Sequence, residues 1–119
     1  LVFNLYDPSR EFAQGRVPAA MRRDDDFTHP GSGNRVVTWY RRQYDPVDQI
    51  MTQEFLFEEL DAGGVVTTRP YKTLTMRYTF RCEMQYLLEL CGYTIEALYG
   101  DFHGGPYRGS EQVWVTRKA

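Results

Sequence analysis

The stretch from Leu74 to Phe102 reads LTMRYTFRCEMQYLLELCGYTIEALYGDF, and its periodicity changes along its length. From Phe80, the residues Met84, Leu87, Leu88 and Cys91 recur at i+4, i+7, i+8 and i+11, which places them on one face of an α-helix of about three turns. Gly92 follows directly, where a left-handed backbone stops a helix. From Tyr93 to Tyr99 the period becomes two, with Tyr93, Ile95, Ala97 and Tyr99 on one side of a strand. A strand beginning at Leu74 precedes the helix, and Tyr99-Gly100-Asp101-Phe102 closes the unit. Leu87, Leu88 and Cys91 are expected to be buried, and Cys82 half-exposed.

Working towards the N-terminus, three long β-prone runs come first. These are Arg35 to Tyr44, Gln49 to Leu60 and Val65 to Tyr78, separated by Asp45-Pro46-Val47-Asp48 and Asp61-Ala62-Gly63-Gly64. Short Asp-Pro and Gly-Gly linkers between such runs are hairpin signals, so an antiparallel meander is expected. Pro70 cannot donate to a ladder, which puts it at an edge or breaks the third run in two. Val37 and Trp39 share a side with Arg35, Arg41 and Gln43, while Val36, Tyr40 and Tyr44 share the other with Thr38 and Arg42. With aromatics on both sides, part of this sheet is expected to meet a ligand, another domain or a second copy.

Before the meander, Leu1 to Tyr6 reads as a buried strand stopped by Asp7-Pro8-Ser9. Phe12, Val17 and Met21 could line a short helix, but Gly15 and Pro18 interrupt it, so Arg10 to Met21 reads as loop with a helical turn. The charge block Arg22 to Asp26 and the segment Thr28 to Asn34 read as solvated loop. Past Tyr99, Gly100 to Ser110 is loop, and Glu111 to Lys118 alternates Gln112, Trp114 and Thr116 against Val113, Val115 and Arg117. That last strand can pair with Tyr93 to Tyr99 as an antiparallel hairpin. The fold class is therefore α+β, as one domain or fragment: strand and loop over 1–34, meander over 35–78, helix and hairpin over 79–119.

The 119 residues suffice for a single core burying roughly 65% of the unfolded surface. Fourteen basic against 16 acidic residues leave a net charge of -2. That balance makes nucleic acid an unfavoured partner, although Arg22, Arg23, Arg35, Arg41 and Arg42 are interleaved with Trp39, Tyr40 and Tyr44. No apolar run approaches 18 residues and no signal peptide is visible, so the expectation is cytoplasmic, with no membrane partner. Cys82 and Cys91 lie about 13 Å apart along the expected helix, too far for a disulfide. His29 and His103 are candidate general bases by pKa alone, but neither has Cys or acidic residues at ligand spacing, so no metal is expected.

Read together, these pieces resemble a known family. The N-terminal strand ending in Asp7-Pro8, the antiparallel insertion, Met76-Arg77-Tyr78-Thr79-Phe80-Arg81-Cys82-Glu83-Met84, Leu87-Leu88, Gly92-Tyr93 and Tyr99-Gly100-Asp101-Phe102 resemble the C-terminal part of class I S-adenosylmethionine-dependent methyltransferases. That family usually reads Arg-Tyr-Phe-Phe-Arg-Phe-Glu, then Leu-Leu, Ala-Gly-Phe and Tyr-Gly-Asp-Phe. This chain departs from the pattern at Thr79, Cys82, Cys91 and Tyr93.

The resemblance implies that Leu1 to Tyr6 is the fifth strand of an α/β sheet and that the hairpin supplies its last two. The insertion would cover the pocket of a small-molecule substrate. It points to Tyr6 and Asp7, at a strand's carboxyl end, as catalytic candidates beside His29 and His103. Trp39, Tyr40, Arg42, Tyr99, Asp101 and Phe102 are the substrate-binding candidates. S-adenosylmethionine is the cofactor of the family, but the strand, Gly-rich turn and helix that hold it have no counterpart here, and the glycines of Gly100 to Gly109 stand between two strands. The isolated chain is thus expected to be inactive without a missing N-terminal half. The alternative is a non-catalytic binding or dimerisation module derived from such an enzyme, most simply a homodimer formed along the first strand.

Overall fold

The structure is a computed structural model that describes residues 1–15 and 20–119. The chain forms two compact units, Leu1–Arg16 with Arg77–Ala119, and Val17–Met76.

The first unit is built on a three-stranded antiparallel sheet. Its strands are β1 (Val2–Tyr6), β8 (Tyr93–Tyr99) and β9 (Glu111–Lys118), in the order β1-β9-β8. β9 is thus the central strand, with Gln112, Val113, Trp114 and Thr116 all buried. β1 is an edge, and Leu1 and Val2 are exposed, which corrects the expectation of a buried strand. A five-residue helix, α1 (Ser9–Ala13), follows β1. Its Phe12 packs on Tyr78 and Phe80, whose own rings meet edge to face at 5.5 Å. The other residues expected to share its face divide: Val17 lies outside the described residues, and Met21 stands beyond the helix.

The helix α2 spans Arg81–Leu90 and packs against β8. Phe80 is its N-cap and offers no acceptor; instead the Glu83 carboxylate reaches back to the Phe80 N–H at 3.1 Å, satisfying one free donor of the helix start. Gly92, at φ +83°, ends the helix in the left-handed region as the sequence implies. The buried face is narrower than the apolar pattern. Leu88 is 6% exposed, but Leu87 is 49% exposed and Cys91 lies open, so both depart from expectation. The reason is angular: successive residues are about 100° apart on a helix, and docking on β8 turns only the Leu88 row inward. Cys82 is also exposed, and both thiols are free. In β8 the register slips between Ile95 and Ala97, a bulge at Glu96 that turns Tyr99 out of the row of Tyr93 and Ile95.

The second unit is a six-stranded sheet centred on β4 (Arg35–Asp45) and β5 (Ile50–Leu60). These pair over their whole length, from Arg35 opposite Leu60 to Asp45 opposite Ile50. In the connection, Asp45 Oδ1 accepts the Val47 and Asp48 N–H groups, closing the turn as Asp-Pro predicts. At the far end Asp61 Oδ1 accepts from Gly63 and Val65. The third run is broken in two around Pro70, giving β6 (Val66–Thr68) and β7 (Tyr71–Arg77), both paired with β5. The other side of β4 holds β2 (Arg22–Arg23) and β3 (Phe27–Thr28), two short strands in segments whose composition reads as loop. No helix among the described residues is long and apolar enough to cross a membrane.

Candidate functional site

Strand pairing in the meander lines up residues from distant parts of the sequence. Phe27 stands opposite Val36, Val36 opposite Glu59, and Glu59 opposite Thr68, so β3, β4, β5 and β6 present one continuous row on one face. Because side chains alternate, Phe57 of β5 shares that face. Together with His29, Pro70 and Lys72 these residues line an open cleft of about 480 Å³. Its walls are the rings of Phe27, Phe57 and Pro70, with Phe57 stacked on Phe55 at 6.0 Å.

The polar groups of the cleft are anchored. Glu59 Oε1 accepts from Ser32 Oγ and Asn34 Nδ2, and Oε2 from Thr68 Oγ1 at 3.3 Å. Donors from Ser32 and Asn34 hold its carboxyl below the usual carboxylate range. His29 Nδ1 accepts the N–H groups of Gly31 and Ser32 at 3.0 and 3.1 Å. That arrangement leaves the imidazole proton on Nε2.

In the first unit the polar groups lie inside. Asp7, only 2% exposed, accepts hydrogen bonds from Ser9 N–H, Ser9 Oγ, Tyr107 Oη and Gln112 Nε2. Gln112, fully buried, also donates to the Thr79 carbonyl and accepts from Trp114 Nε1. Burial and the neighbouring Asp7 carboxylate push the Tyr107 hydroxyl up to about 12.

Three methyltransferases are among the solved structures that resemble the chain. An S-adenosylmethionine-dependent methyltransferase from Clostridium acetobutylicum matches 99% of it at a TM-score of 0.68 and 12% identity, over 44% of that enzyme's chain. The CcbJ methyltransferase from Streptomyces caelestis matches 99% at a TM-score of 0.66 and 16% identity, over 45% of its chain. The sugar N-methyltransferase KedS8 from a Streptoalloteichus species matches 99% at a TM-score of 0.57 and 18% identity, over 42% of its chain. The chain has the fold of part of an S-adenosylmethionine-dependent methyltransferase. It spans less than half the length of these enzymes, and at such identities the likeness is one of fold. No family model and no curated protein matches the sequence.

Within this methyltransferase fold the expected site residues divide between the two units. Trp39 and Tyr40 point to opposite faces of β4; Trp39 Nε1 donates to Glu58 at 2.7 Å, whereas Arg42 lies 5.0 Å over the Tyr40 ring. Tyr40 stands opposite Phe55, beside the cleft, so Tyr40 and Arg42 share its face and Trp39 does not. Tyr6 donates to Glu11, and the Asp7 oxygens accept from the internal donors described above. Asp101 is a turn residue: Oδ1 accepts the His103 and Gly105 N–H groups, which hold its carboxyl below the usual range. Phe102 and His103 are exposed and Tyr99 partly so.

The Gly100 to Gly109 loop is packed on itself. A Cβ on Gly100 would meet the Pro106 carbonyl oxygen at 2.3 Å, and one on Gly105 the Asp101 carboxylate at 2.3 Å. The glycines make room for the loop's own atoms, and Gly100 N–H already donates to Gly105. Among the described residues no cluster of His, Cys, Asp or Glu could hold a metal. Phe27, Glu59, Thr68, Tyr107 and Gln112 escape sequence reasoning. Gln112, a polar residue in the row of Trp114, was the one visible signal.

Proposed function

We propose that this chain is the C-terminal, substrate-covering portion of an S-adenosylmethionine-dependent methyltransferase acting on a small molecule, with the cofactor held by residues outside these 119. The carrying observation is the fold match, which takes in 99% of this chain and under half of each enzyme. Methyl transfer is an in-line displacement at a sulfonium, so a covering sheet contributes by orienting the acceptor and excluding water. The exposed edge of β1, with Leu1 and Val2 open, supports a neighbouring strand in the working protein. That same edge supports the second reading, a non-catalytic module that pairs with a second copy.

The experiment is to read the coding sequence upstream of Leu1 and to assay transfer of a labelled methyl group by the extended protein. A strand, Gly-rich turn and helix encoded there, with activity absent from the 119 residues alone, is the expected result. An initiator codon directly before Leu1, with no partner chain restoring transfer, favours the module.

A further inference from the structure

We infer that the meander cleft binds a neutral, hydroxyl-bearing ring such as a saccharide. The site lies wholly within the meander and does not rest on the methyl-transfer reading. At about 480 Å³ the cleft has the size of a small-molecule site, with ring-shaped apolar walls and a few convergent polar groups. The charges select the ligand. Glu59 is held ionised and disfavours an anion, while the Lys72 ammonium disfavours a cation. The two cancel, and His29 Nδ1 is already occupied by the Gly31 and Ser32 N–H groups.

What remains is a ligand that both donates and accepts at several points around an apolar body. Glu59 Oε2 has one donor, Thr68, and keeps lone pairs for ligand hydroxyls; Lys72 and the His29 Nε2–H donate in return. The C–H faces of a pyranose or similar ring match the flat walls of Phe27 and Phe57. Phe57 is braced from behind by Phe55, so its ring is set before a ligand arrives.

The test is residue-resolved NMR titration of the full chain with phenyl β-D-glucopyranoside, and with benzylamine and phenyl phosphate as charged counterparts. The expected result is saturable shifts at Phe27, Thr68 and Lys72 with the glucoside, at lower concentration than with either charged compound. Phe27→Ala, at an exposed position, should weaken binding about three- to tenfold. Glu59→Gln, which keeps the side chain's shape, should weaken it about tenfold while the rest of the spectrum stays dispersed. Tighter binding of a charged compound, absence of saturable shifts at the cleft, or unchanged affinity in Phe27→Ala overturns the inference.

Discussion

In the sheet around β9 a carboxylate, an amide and a tryptophan N–H are bonded to one another inside, while Tyr86, Leu87 and Leu90 of α2 face outward. In the meander the charged groups instead pair near the surface, between strands as Arg41 with Glu54, or with a residue of a connection as Arg69 with Glu58 and Arg23 and Arg35 with Asp26. The first arrangement depends on single partners far away in sequence, Asp7 to Gln112 being 105 residues apart. The second depends on many adjacent, screened pairs that can be lost singly at little cost. The two regions should therefore respond to different perturbations.

The largest effect is expected at Trp114, 1% exposed and tied to Gln112. Trp114→Ala should cost about 3–5 kcal/mol in denaturant unfolding, and a loss under about 1 kcal/mol would place the indole outside a packed core. Next comes the helix. Leu88→Ala should cost about 2–5 kcal/mol and Leu87→Ala less than about 0.5 kcal/mol, so equal losses would contradict the docking of α2 on β8.

Asp7→Asn should cost about 1.5–3 kcal/mol, because hydrogen bonds to a buried charge are lost or inverted. It should also lower the Tyr107 pKa from about 12 towards the ordinary 10. A tyrosine pKa raised by folding gives stability that is present below pH 10 and lost as pH rises through 12. Tyrosinate absorbance against pH in both proteins would expose an unchanged titration, which this account excludes.

The acid side sharpens the contrast with a smaller effect. Asp26, Glu54 and Glu59 in the meander are all held below the usual carboxylate range, by Arg23 and Arg35, by Tyr71 and Arg41, and by Ser32 and Asn34. Carboxylates lowered by folding stabilise above about pH 4 and lose that contribution as pH falls through their folded values. In the other unit Asp101 is lowered in the same way. Amide signals of β4 and β5 should therefore weaken in acid before those of β9, and the reverse order would undo the comparison.

Much of the fold is legible in the sequence because it rests on local signals. The helix period, the stop at Gly92, the Asp45 and Asp61 turns and the break at Pro70 all have nearby causes. The bulge at Glu96 and the choice of Leu88 over Leu87 depend on how one element docks on another. Much of the cleft was not legible for a related reason. Phe27 and His29 sit among residues of loop composition, and pairing with the long strand β4 makes Phe27 part of a sheet row. Asp7 was legible as a strand-end carboxylate with Ser9 close by, but its other donors, Tyr107 and Gln112, come from a loop and a strand about 100 residues later.

Calorimetric titration of the 119 residues with S-adenosylmethionine tests the central claim most directly. In the Gly100 to Gly109 loop the Gly100 N–H donates to the Gly105 carbonyl and Asp101 accepts the His103 and Gly105 N–H groups, so these groups are already partnered within the loop. Losing two or three charge-assisted contacts, at about 1.5–3 kcal/mol each, moves a micromolar site to millimolar or weaker. The account predicts no saturable heat at micromolar concentrations; micromolar binding by the chain alone would contradict it.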